Sequence, residues 1–360
     1  MGGPMAQRSA RLITRRLVGV GALVVAGVLP ASSSGSSVPR IGSVSLFAQI
    51  GAPGHPFGVL ATSDAVYAAT SVGAPFRPND GTERVLRFTP HGKPAGSATV
   101  TTMQSMGLHN MAEDGDGRVY VVDMNSRILR FTPGPRGLGS PEVYATVPEP
   151  YASAGWEASM WQGLAFDSDG CLYVTDASLG AIWRIPPGGD PAIWFQAPEL
   201  MSSQISGVNG IAVGPDHQLY VVLAGSPLPN HFGNGIVYRL PLQHATPDRA
   251  ELQLFHEFAV QPSGRPLPFP VAGDLVFGQS GNAYVTLTST NQVAVVDKQG
   301  REVRLISDPR FDVPIGITMQ GNSLLLANSN YFPPENEAHW QILKVYVGEP
   351  ALPLIRPHVG

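Results

Sequence analysis

Hydrophobic and polar positions repeat along the chain in related segments. Each has a polar or small lead-in, a short apolar run, a turn rich in Gly, Asp, Asn and Ser, and a second apolar run. The segments are PFGVLATSDAVYAATS from Pro56, GLHNMAEDGDGRVYVVD from Gly107, WQGLAFDSDGCLYVTD from Trp161, SGVNGIAVGPDHQLYVV from Ser206, AGDLVFGQSGNAYVTL from Ala272 and PIGITMQGNSLLLANS from Pro314. Apolar runs of this length, bounded by such turns, predict paired β-strands.

The spacing of the segments predicts the architecture. The residues that open the first apolar runs are Val59, Met111, Leu164, Ile211, Leu275 and Ile317, at separations of 52, 53, 47, 64 and 42 residues. A third strand such as RILRFTP follows in each unit, and in most units a fourth such as AIWFQAP. Six units of about 50 residues with four strands each are typical of a β-propeller.

The two ends of the repeat predict how the ring closes. SVSLFAQI, residues 43–50, has no unit before it, and the last unit has no clear fourth strand. Pairing the two would leave no exposed sheet edge. We therefore predict an all-β protein with one six-bladed propeller over residues 38–350, closed by the N-terminal strand, and a C-terminal tail at 351–360. A length of 360 residues would suit two domains, but no linker interrupts the repeat.

The first 37 residues differ from the rest. Four arginines precede an apolar run, Leu17 to Leu29, which a small-residue stretch follows. This arrangement is typical of a secretory signal peptide, and the run is short for a membrane span. Residues 14–18, TRRLV, weakly resemble a twin-arginine signal; an ordinary Sec signal and an uncleaved anchor are the alternatives. We expect a secreted protein that is not in the membrane once the signal is removed.

Composition narrows the possible functions. The chain is 43% hydrophobic and 14% charged, which suits a large core. Removing the four N-terminal arginines changes the net charge from −4 to −8, and no basic stripe appears, so a nucleic-acid partner is not expected. Cys171 is the single cysteine and lies in a strand-like run, so we expect a buried small hydrophobe. A closed propeller needs no partner to cover its edges, and a monomer is expected.

Candidate chemistry lies just before the first strand of each unit. Aligned on the apolar residue that follows, the units offer Phe57, His109, Gln162, Asn209, Gly273 followed by Asp274, and Ile315. In a propeller these positions line one mouth of the central channel. Each polar residue taken alone is explained by capping of a strand end. Together they form a polar constellation where apolar packing would suffice.

The residue types suggest two kinds of chemistry. Oxygen ligands such as Asn209 and Asp274 suit Ca²⁺, which takes six to eight of them. A calcium ion there would polarise an ester or lactone carbonyl, and His109 would activate water as a general base, with Asp274 as a second catalytic candidate. Zinc fits less well, because no second histidine lies at such a position. The DGDG and DSDG turns lack the distal Glu of an EF-hand loop and are expected to be hairpin turns.

With these residues located, the chain resembles the calcium-dependent six-bladed propeller hydrolases: the senescence marker protein/gluconolactonase group, the paraoxonases and the strictosidine synthase-like proteins. The segment VNGIAVGPDHQLYVV resembles the gluconolactonase PNGI and the paraoxonase VNDIVAVGPEH segments. The resemblance implies that Asn209 binds calcium. It further implies that His109, in LHNM, corresponds to the histidine of the paraoxonase HGI segment, and that Asp274 lies one place from the usual Asp ligand.

Two departures from this pattern bear on the metal. The first-unit Glu of the family is expected near Phe57-Gly58, where no carboxylate stands, and the last unit offers Ile315. A calcium site built on Asn209 and Asp274 alone would bind weakly. Gln162 would add a neutral oxygen, and Glu157 is a candidate substitute for the missing carboxylate, although a solvated loop residue explains it equally.

Loops supply candidate substrate walls. The loop 149–161 carries Tyr151, Trp156 and Trp161, and the loop 224–235 carries His231. The segment 329–340 is also expected to overhang the site. Aromatic residues near a pocket often bind apolar ligands, whereas packing over the propeller face is the alternative. We predict Phe57, Trp156, Trp161, Gln162 and His231 as substrate-binding residues.

Three functions remain open from the sequence. The first is a secreted, Ca²⁺-dependent hydrolase of lactones or esters acting on a small molecule. The second is a non-catalytic propeller that binds a ligand or a protein, which the apolar residues Phe57 and Ile315 favour. The third is a metal-independent enzyme of the strictosidine synthase-like or cyclase type. Fold alone does not choose among them.

Overall fold

Six four-stranded antiparallel sheets make up the part of the chain that the structure describes. The computed structural model describes residues 38–72, 82–101, 107–124, 127–135, 137–149, 151, 159–201, 206–259, 271–331 and 336–360. Residues 39–360 form one unit, and each sheet is one blade of it.

The strands, numbered in chain order, have the following bounds. Blade 1 contains β2 (His55–Ala61), β3 (Val66–Ser71), β4 (Thr82–Phe88) and β5 (Pro94–Thr101). Blade 2 contains β6 (Leu108–Glu113), β7 (Val119–Asp123), β8 (Arg127–Phe131) and β9 (Glu142–Thr146). Blade 3 contains β10 (Trp161–Phe166), β11 (Leu172–Asp176), β12 (Ala181–Ile185) and β13 (Ala192–Gln196). Blade 4 contains β14 (Val208–Val213), β15 (Gln218–Leu223), β16 (Gly235–Pro241) and β17 (Gln253–Phe258). Blade 5 contains β18 (Ala272–Phe277), β19 (Ala283–Leu287), β20 (Gln292–Val296) and β21 (Glu302–Ser307). Blade 6 contains β22 (Pro314–Gln320), β23 (Ser323–Asn328), β24 (Gln341–Tyr346) and β1 (Val44–Gln49).

Helical structure in the described residues is limited to short 3-10 turns. They span Pro198–Leu200, Pro229–His231, Arg249–Glu251 and Glu337–His339. Across the described part of the chain, no helix is long and apolar enough to cross a membrane.

The first strands of neighbouring blades surround a central axis. Each contacts the first strand of the next blade, and β22 returns to contact β2, so the six blades form a ring. In blade 6 the outermost strand is β1, which pairs antiparallel with β24, Val44 opposite Val345 and Gln49 opposite Gln341. The six-bladed propeller predicted from the repeat is therefore confirmed, and the two ends of the repeat meet in one sheet.

Burial falls from the axis to the rim. The residues of β2 are buried along the whole strand, whereas most residues of the outer strands β5 and β21 are exposed. Six apolar clusters fill the spaces between neighbouring blades, one for each interface. Cys171 lies in the cluster between blades 3 and 4, which confirms the buried small hydrophobe expected from the sequence.

A β-bulge occurs near the start of the first strand in every blade. In blade 2, Leu108 pairs with Asp123 and Met111 pairs with Val121. Two residues of β6 therefore lie between these pairs where β7 has one. The other five blades show the same extra residue at the same place. Bulges of this kind redirect side chains and are frequent beside functional sites. Because all six first strands run the same way along the axis, the six bulges lie at one end of the channel.

The C-terminal tail packs against the opposite end of the channel. The Leu352 amide donates to the Phe277 carbonyl of blade 5, and the Arg356 side chain donates to the Ala61 carbonyl of blade 1 and pairs with Glu113 of blade 2 at 2.7 Å. Val359 is fully buried in the cluster between blades 2 and 3. Residues 351–360, which the sequence sets apart as a tail, thus contact blades on both sides of the axis.

Candidate functional site

The bulges place one residue of each blade at the mouth of the channel. We call these six the ring residues: Phe57, His109, Gln162, Asn209, Gly273 and Ile315. The apolar residue two positions after each, from Val59 to Ile317, pairs with the second strand at the same point of the register. The alignment used at the level of sequence is therefore the structural one, and Asp274 lies one residue beyond the ring position of blade 5.

Close packing at the axis explains why glycine follows most ring residues. A Cβ atom on Gly58 would lie 2.0 Å from the His109 carbonyl oxygen, and one on Gly316 would lie 2.4 Å from that of Phe57. A Cβ on Gly163 would lie 2.6 Å from the Asn209 carbonyl oxygen. Real Cβ atoms do not approach backbone this closely. The bulge of one blade therefore packs directly against the ring residue of the next.

Two buried threonines connect these bulges. In blade 3, the Gly163 amide donates to Thr175 Oγ1 at 2.8 Å, and the same hydroxyl donates to the Asn209 carbonyl of blade 4. In blade 5, the Asp274 amide donates to Thr286 Oγ1 at 2.9 Å, and that hydroxyl donates to the Ile315 carbonyl of blade 6 at 2.7 Å. Each hydroxyl satisfies a bulged amide and fixes the ring residue of the next blade.

His109 is buried and electrically neutral at physiological pH. It is 4% exposed, and its ring meets that of Phe57 edge to face at 5.7 Å. Burial lowers the pKa of His109 to about 4, and a hydrogen bond with the Gln162 backbone opposes the shift. Its Nδ1 atom is buried and has no hydrogen-bond partner within the described residues.

Asn209, two blades away, presents a second buried polar atom. It is 7% exposed, and its Oδ1 atom also lacks a hydrogen-bond partner in the part of the chain that the structure describes. Gln162, the ring residue between them, is also buried. Buried polar atoms normally have hydrogen-bond partners, because a buried donor or acceptor without one costs about 1–3 kcal/mol. Blades 2, 3 and 4 thus present the polar half of the ring.

The other half of the ring is apolar. Phe57, Val313, Ile315 and Tyr331 form one buried cluster, in which the Phe57 and Tyr331 rings lie 5.4 Å apart. Burial raises the pKa of Tyr331. Val313 has a φ of 58°, a conformation that β-branched residues rarely adopt, so the backbone beside this wall is strained. The segment expected to overhang the site does contribute Tyr331 to the mouth.

The Asp274 side chain lies inside the channel and not at the ring of the mouth. Its Oδ1 accepts from the Leu275 amide at 2.9 Å, and its Oδ2 accepts from Asn110 Nδ2 at 3.1 Å and from the Ile317 amide at 3.4 Å. Burial raises the pKa of Asp274 to about 7, although these hydrogen bonds oppose the shift.

The donor atoms that the ring residues and Asp274 offer do not fit a calcium ion. Phe57 and Ile315 offer carbon, Gly273 offers no side chain, and Asn209 and Gln162 offer neutral oxygens. Asp274 is already hydrogen-bonded through both oxygens. Among the described residues, no three His, Cys, Asp or Glu side chains gather as a metal site would require. Calcium takes six to eight oxygens, usually with several carboxylates among them.

The predicted loop residues take other positions. Trp161 is fully buried in the cluster between blades 2 and 3 and contacts Trp183, so its side chain belongs to the core and not to the mouth. Tyr151 also packs against Trp183. His231 Nδ1 lies 2.8 Å from Glu257 Oε1 on β17, the outermost strand of blade 4. Trp156 and Glu157 lie outside the described residues.

Asn110 is a residue of the site that the sequence did not predict. Asn110 stands where four of the six blades carry glycine after the ring residue, and it binds Asp274. This departure from the ring residue–glycine pattern is visible in the aligned segments and is the signal that would have found it.

The fold and the ring define a class: a six-bladed β-propeller with a half-polar, half-apolar mouth at one end of its channel. The sequence matches no protein-family model and no curated protein sequence. Among solved structures, the chain is similar to virginiamycin B lyase from Staphylococcus aureus, with 16% identity over 84% of this chain and 99% of that one and a TM-score of 0.54. It is similar to regucalcin, a calcium-binding protein from Agrobacterium tumefaciens, with 12% identity over 86% of this chain and 98% of that one and a TM-score of 0.57.

A luciferin-regenerating enzyme gives 12% identity over 88% of this chain and 99% of that one, with a TM-score of 0.60. Likeness at these identities shows a shared fold. That fold is the one that the resemblance to the gluconolactonase-type propellers implies.

Proposed function

We propose that the protein is a hydrolase that cleaves a small, partly apolar lactone or ester at the mouth of the propeller. One observation carries the proposal: His109 Nδ1 and Asn209 Oδ1 are both buried ring atoms for which the described residues offer no hydrogen-bond partner. Two such atoms on one ring indicate that a ligand supplies what they lack.

The chemistry follows from the state of His109. Its pKa of about 4 keeps the imidazole neutral at pH 7, so Nδ1 is free to accept a proton from an attacking water molecule. We assign to the amide NH₂ groups of Gln162 and Asn209 the stabilisation of the substrate's carbonyl oxygen, whose negative charge develops in the transition state.

The apolar wall indicates the kind of substrate. Phe57, Ile315 and Tyr331 offer carbon and aromatic surface opposite the polar ring residues. A small molecule with an apolar body and one polar, hydrolysable group matches both halves of the mouth.

Calcium dependence, which the sequence resemblance implies, is a separate question. The donors described here do not fit the ion, so the proposed step is assigned to His109, Gln162 and Asn209 alone. Turnover that persists in the presence of a chelator is the expected result.

A substrate panel tests the proposal. Purified protein is assayed on γ- and δ-lactones and aryl esters, with added Ca²⁺ and with EDTA. His109→Gln is expected to lower kcat about 100-fold or more, because it removes the base while keeping a polar side chain. His244→Gln is the matched control, since His244 is exposed and pairs with Asp169 away from the ring.

Three outcomes would change the assignment. Absence of turnover on the whole panel contradicts the hydrolase. Equal loss of activity in His109→Gln and His244→Gln contradicts the role of His109. Activity that EDTA abolishes and Ca²⁺ restores establishes the calcium dependence that the resemblance implies.

A non-catalytic, ligand-binding propeller is the second candidate. The specific observation in its favour is the low pKa of His109, which makes the imidazole a weak base. Calorimetry on the same panel separates the two functions: heat of binding without turnover, lost in Asn209→Leu, supports the binding protein.

We also propose that residues 1–37 export the protein. The proposal rests on the four arginines, the apolar run and the small residues that follow it. N-terminal sequencing of protein recovered outside the cytoplasm is expected to show cleavage within the stretch that follows Leu29. Replacing Arg15 and Arg16 with lysine separates the two routes, because loss of export in that variant indicates twin-arginine transport.

A further inference from the structure

Two opposed blades break the glycine pattern at the axis. The residue after the ring residue is glycine in blades 1, 3, 4 and 6, but Asn110 in blade 2 and Asp274 in blade 5. In a ring of six, blades 2 and 5 face each other. The two side chains that replace glycine therefore start from opposite sides of the channel.

These two side chains meet across the axis. Asn110 Nδ2 donates to Asp274 Oδ2 at 3.1 Å. Asn110 Oδ1 accepts from the Met111 amide at 2.7 Å, and Asp274 Oδ1 accepts from the Leu275 amide at 2.9 Å, so each side chain is fixed by its own strand. We call this pair the crossbar. Both residues are at least nine-tenths buried.

A cavity lies beyond the crossbar. A cavity of about 90 Å³ is lined by Asn110 and Asp274, by the first strands, and at its far end by the tail residues Leu352 to Ile355. Of the residues that the structure describes, none of the six ring residues lines this cavity. The crossbar thus separates the mouth from the inner channel. A space of this size holds a few waters or a short alkyl chain.

We propose that the crossbar is the floor of the ligand site and limits how far an apolar chain on the ligand reaches into the channel. This inference rests on the proposed ligand site at the ring. Mouth and cavity lie on one axis, and most of the cavity-lining side chains, including Leu164, Ile211 and Leu275, are apolar. Removal of the crossbar joins the two spaces and lengthens the site.

The substitution Asn110→Gly tests the crossbar with little risk to folding. Glycine is the residue that blades 1, 3, 4 and 6 carry at this position. Asp274 keeps its hydrogen bonds from the Leu275 and Ile317 amides. The paired exchange of Asn110→Asp with Asp274→Asn is the matched control, because it keeps one amide and one carboxyl group facing each other. Calorimetric unfolding of each variant checks that the fold is retained.

A labelling experiment measures the barrier without any ligand. Thr318, which lines the cavity, is replaced by cysteine in the full chain, and its reaction with methyl methanethiosulfonate is followed by peptide mapping. Adding Asn110→Gly is expected to raise the labelling rate at position 318 about tenfold or more. Native Cys171, buried between blades 3 and 4, is the internal control and is expected to react at an unchanged slow rate.

Two labelling results overturn the proposal. Equal rates at position 318 with and without Asn110→Gly would show that the crossbar is no barrier. A rate in the paired exchange as fast as in Asn110→Gly would show that the side chains facing each other do not close the channel.

A second measurement tests the effect on ligands. Binding and turnover of γ-lactones with alkyl chains from methyl to octyl are compared in the wild type and in Asn110→Gly. Affinity in the wild type is expected to stop rising at a short chain. In Asn110→Gly it is expected to continue rising by about fourfold for each further methylene that enters the cavity. An unchanged chain-length profile overturns the proposal.

The two experiments separate this inference from the proposed function. If no lactone binds the wild type, the lactone hydrolase fails, and the labelling rates at position 318 still decide whether the crossbar closes the channel.

Discussion

At the scale of single residues, burial sets the chemistry of the mouth. His109 and Asp274 are both deeply buried, and burial disfavours the charged form of each, lowering the pKa of the imidazole and raising that of the carboxyl group. Asn110 compensates Asp274 with a neutral hydrogen bond instead of a positive charge. Near pH 7 the imidazole is thus neutral and the carboxyl group is only partly ionised, so the site carries little charge, which suits an uncharged ester or lactone.

The buried histidine predicts a pH-dependent stability. Its folded pKa of about 4 lies below the unfolded value of about 6.5, so between these values the unfolded chain binds the extra proton. The contribution of the neutral His109 side chain to the free energy of unfolding is fully present above pH 6.5. It falls by about 3 kcal/mol as the pH drops to 4. Urea unfolding at pH 7 and pH 4.5 measures it: His109→Gln is expected to lose less stability than the wild type over this interval.

His244→Gln is the control for that measurement. His244 is exposed and lies away from the ring, so its variant controls for the loss of a histidine as such. If His109→Gln and the wild type lose stability in parallel, the imidazole is not held neutral by burial.

At the scale of elements, the bulge at the start of each first strand builds the site. It brings the ring residue to the mouth and packs the next residue against the neighbouring blade, which requires glycine where a backbone oxygen lies in the way. The sequence predicted the strands and the ring positions, because turn composition and apolar alternation are local. It did not predict the bulge or the role of Asn110, because both depend on a neighbouring or opposite blade.

The bulge predicts an asymmetry between two glycines. Gly58→Ala is expected to destabilise the protein by about 1–3 kcal/mol, because its Cβ would lie 2.0 Å from the His109 carbonyl oxygen and the strands would have to separate. Gly51→Ala, where no atom lies within 4 Å of the added Cβ, is expected to stay within about 0.5 kcal/mol of the wild type. Urea midpoints of the two variants decide, and similar midpoints would contradict the close packing of the bulge.

At the scale of the whole molecule, two chain segments join distant blades. Strand β1, from the N-terminal end of the propeller, is the outermost strand of blade 6, whose other three strands come from the C-terminal end. The tail bridges blade 5 to blades 1 and 2 across the base of the channel. Burial raises the pKa of Glu113, and the Arg356 guanidinium beside it opposes that shift. The tail therefore offsets the cost of burying this carboxylate as well as closing the channel.

Ending the chain after Pro350 is expected to lower the stability by about 2 kcal/mol or more. The truncation exposes the pocket of the fully buried Val359 and removes the partner of Glu113. The urea midpoint of the truncated protein measures the effect, and removal of the exposed Gly360 alone is the control. An unchanged midpoint after truncation would mean that the tail does not hold the blades together.

The sequence by itself determined the number of blades, their four strands and the ring positions, since each follows from local periodicity and turn residues. It also singled out His109 and Asn209. Only the tertiary structure decided that Trp161 belongs to the core, that His231 binds an outer strand, and that Asn110 reaches Asp274 across the axis. Such contacts join residues far apart in the chain, and no local pattern encodes which faces of distant strands will meet.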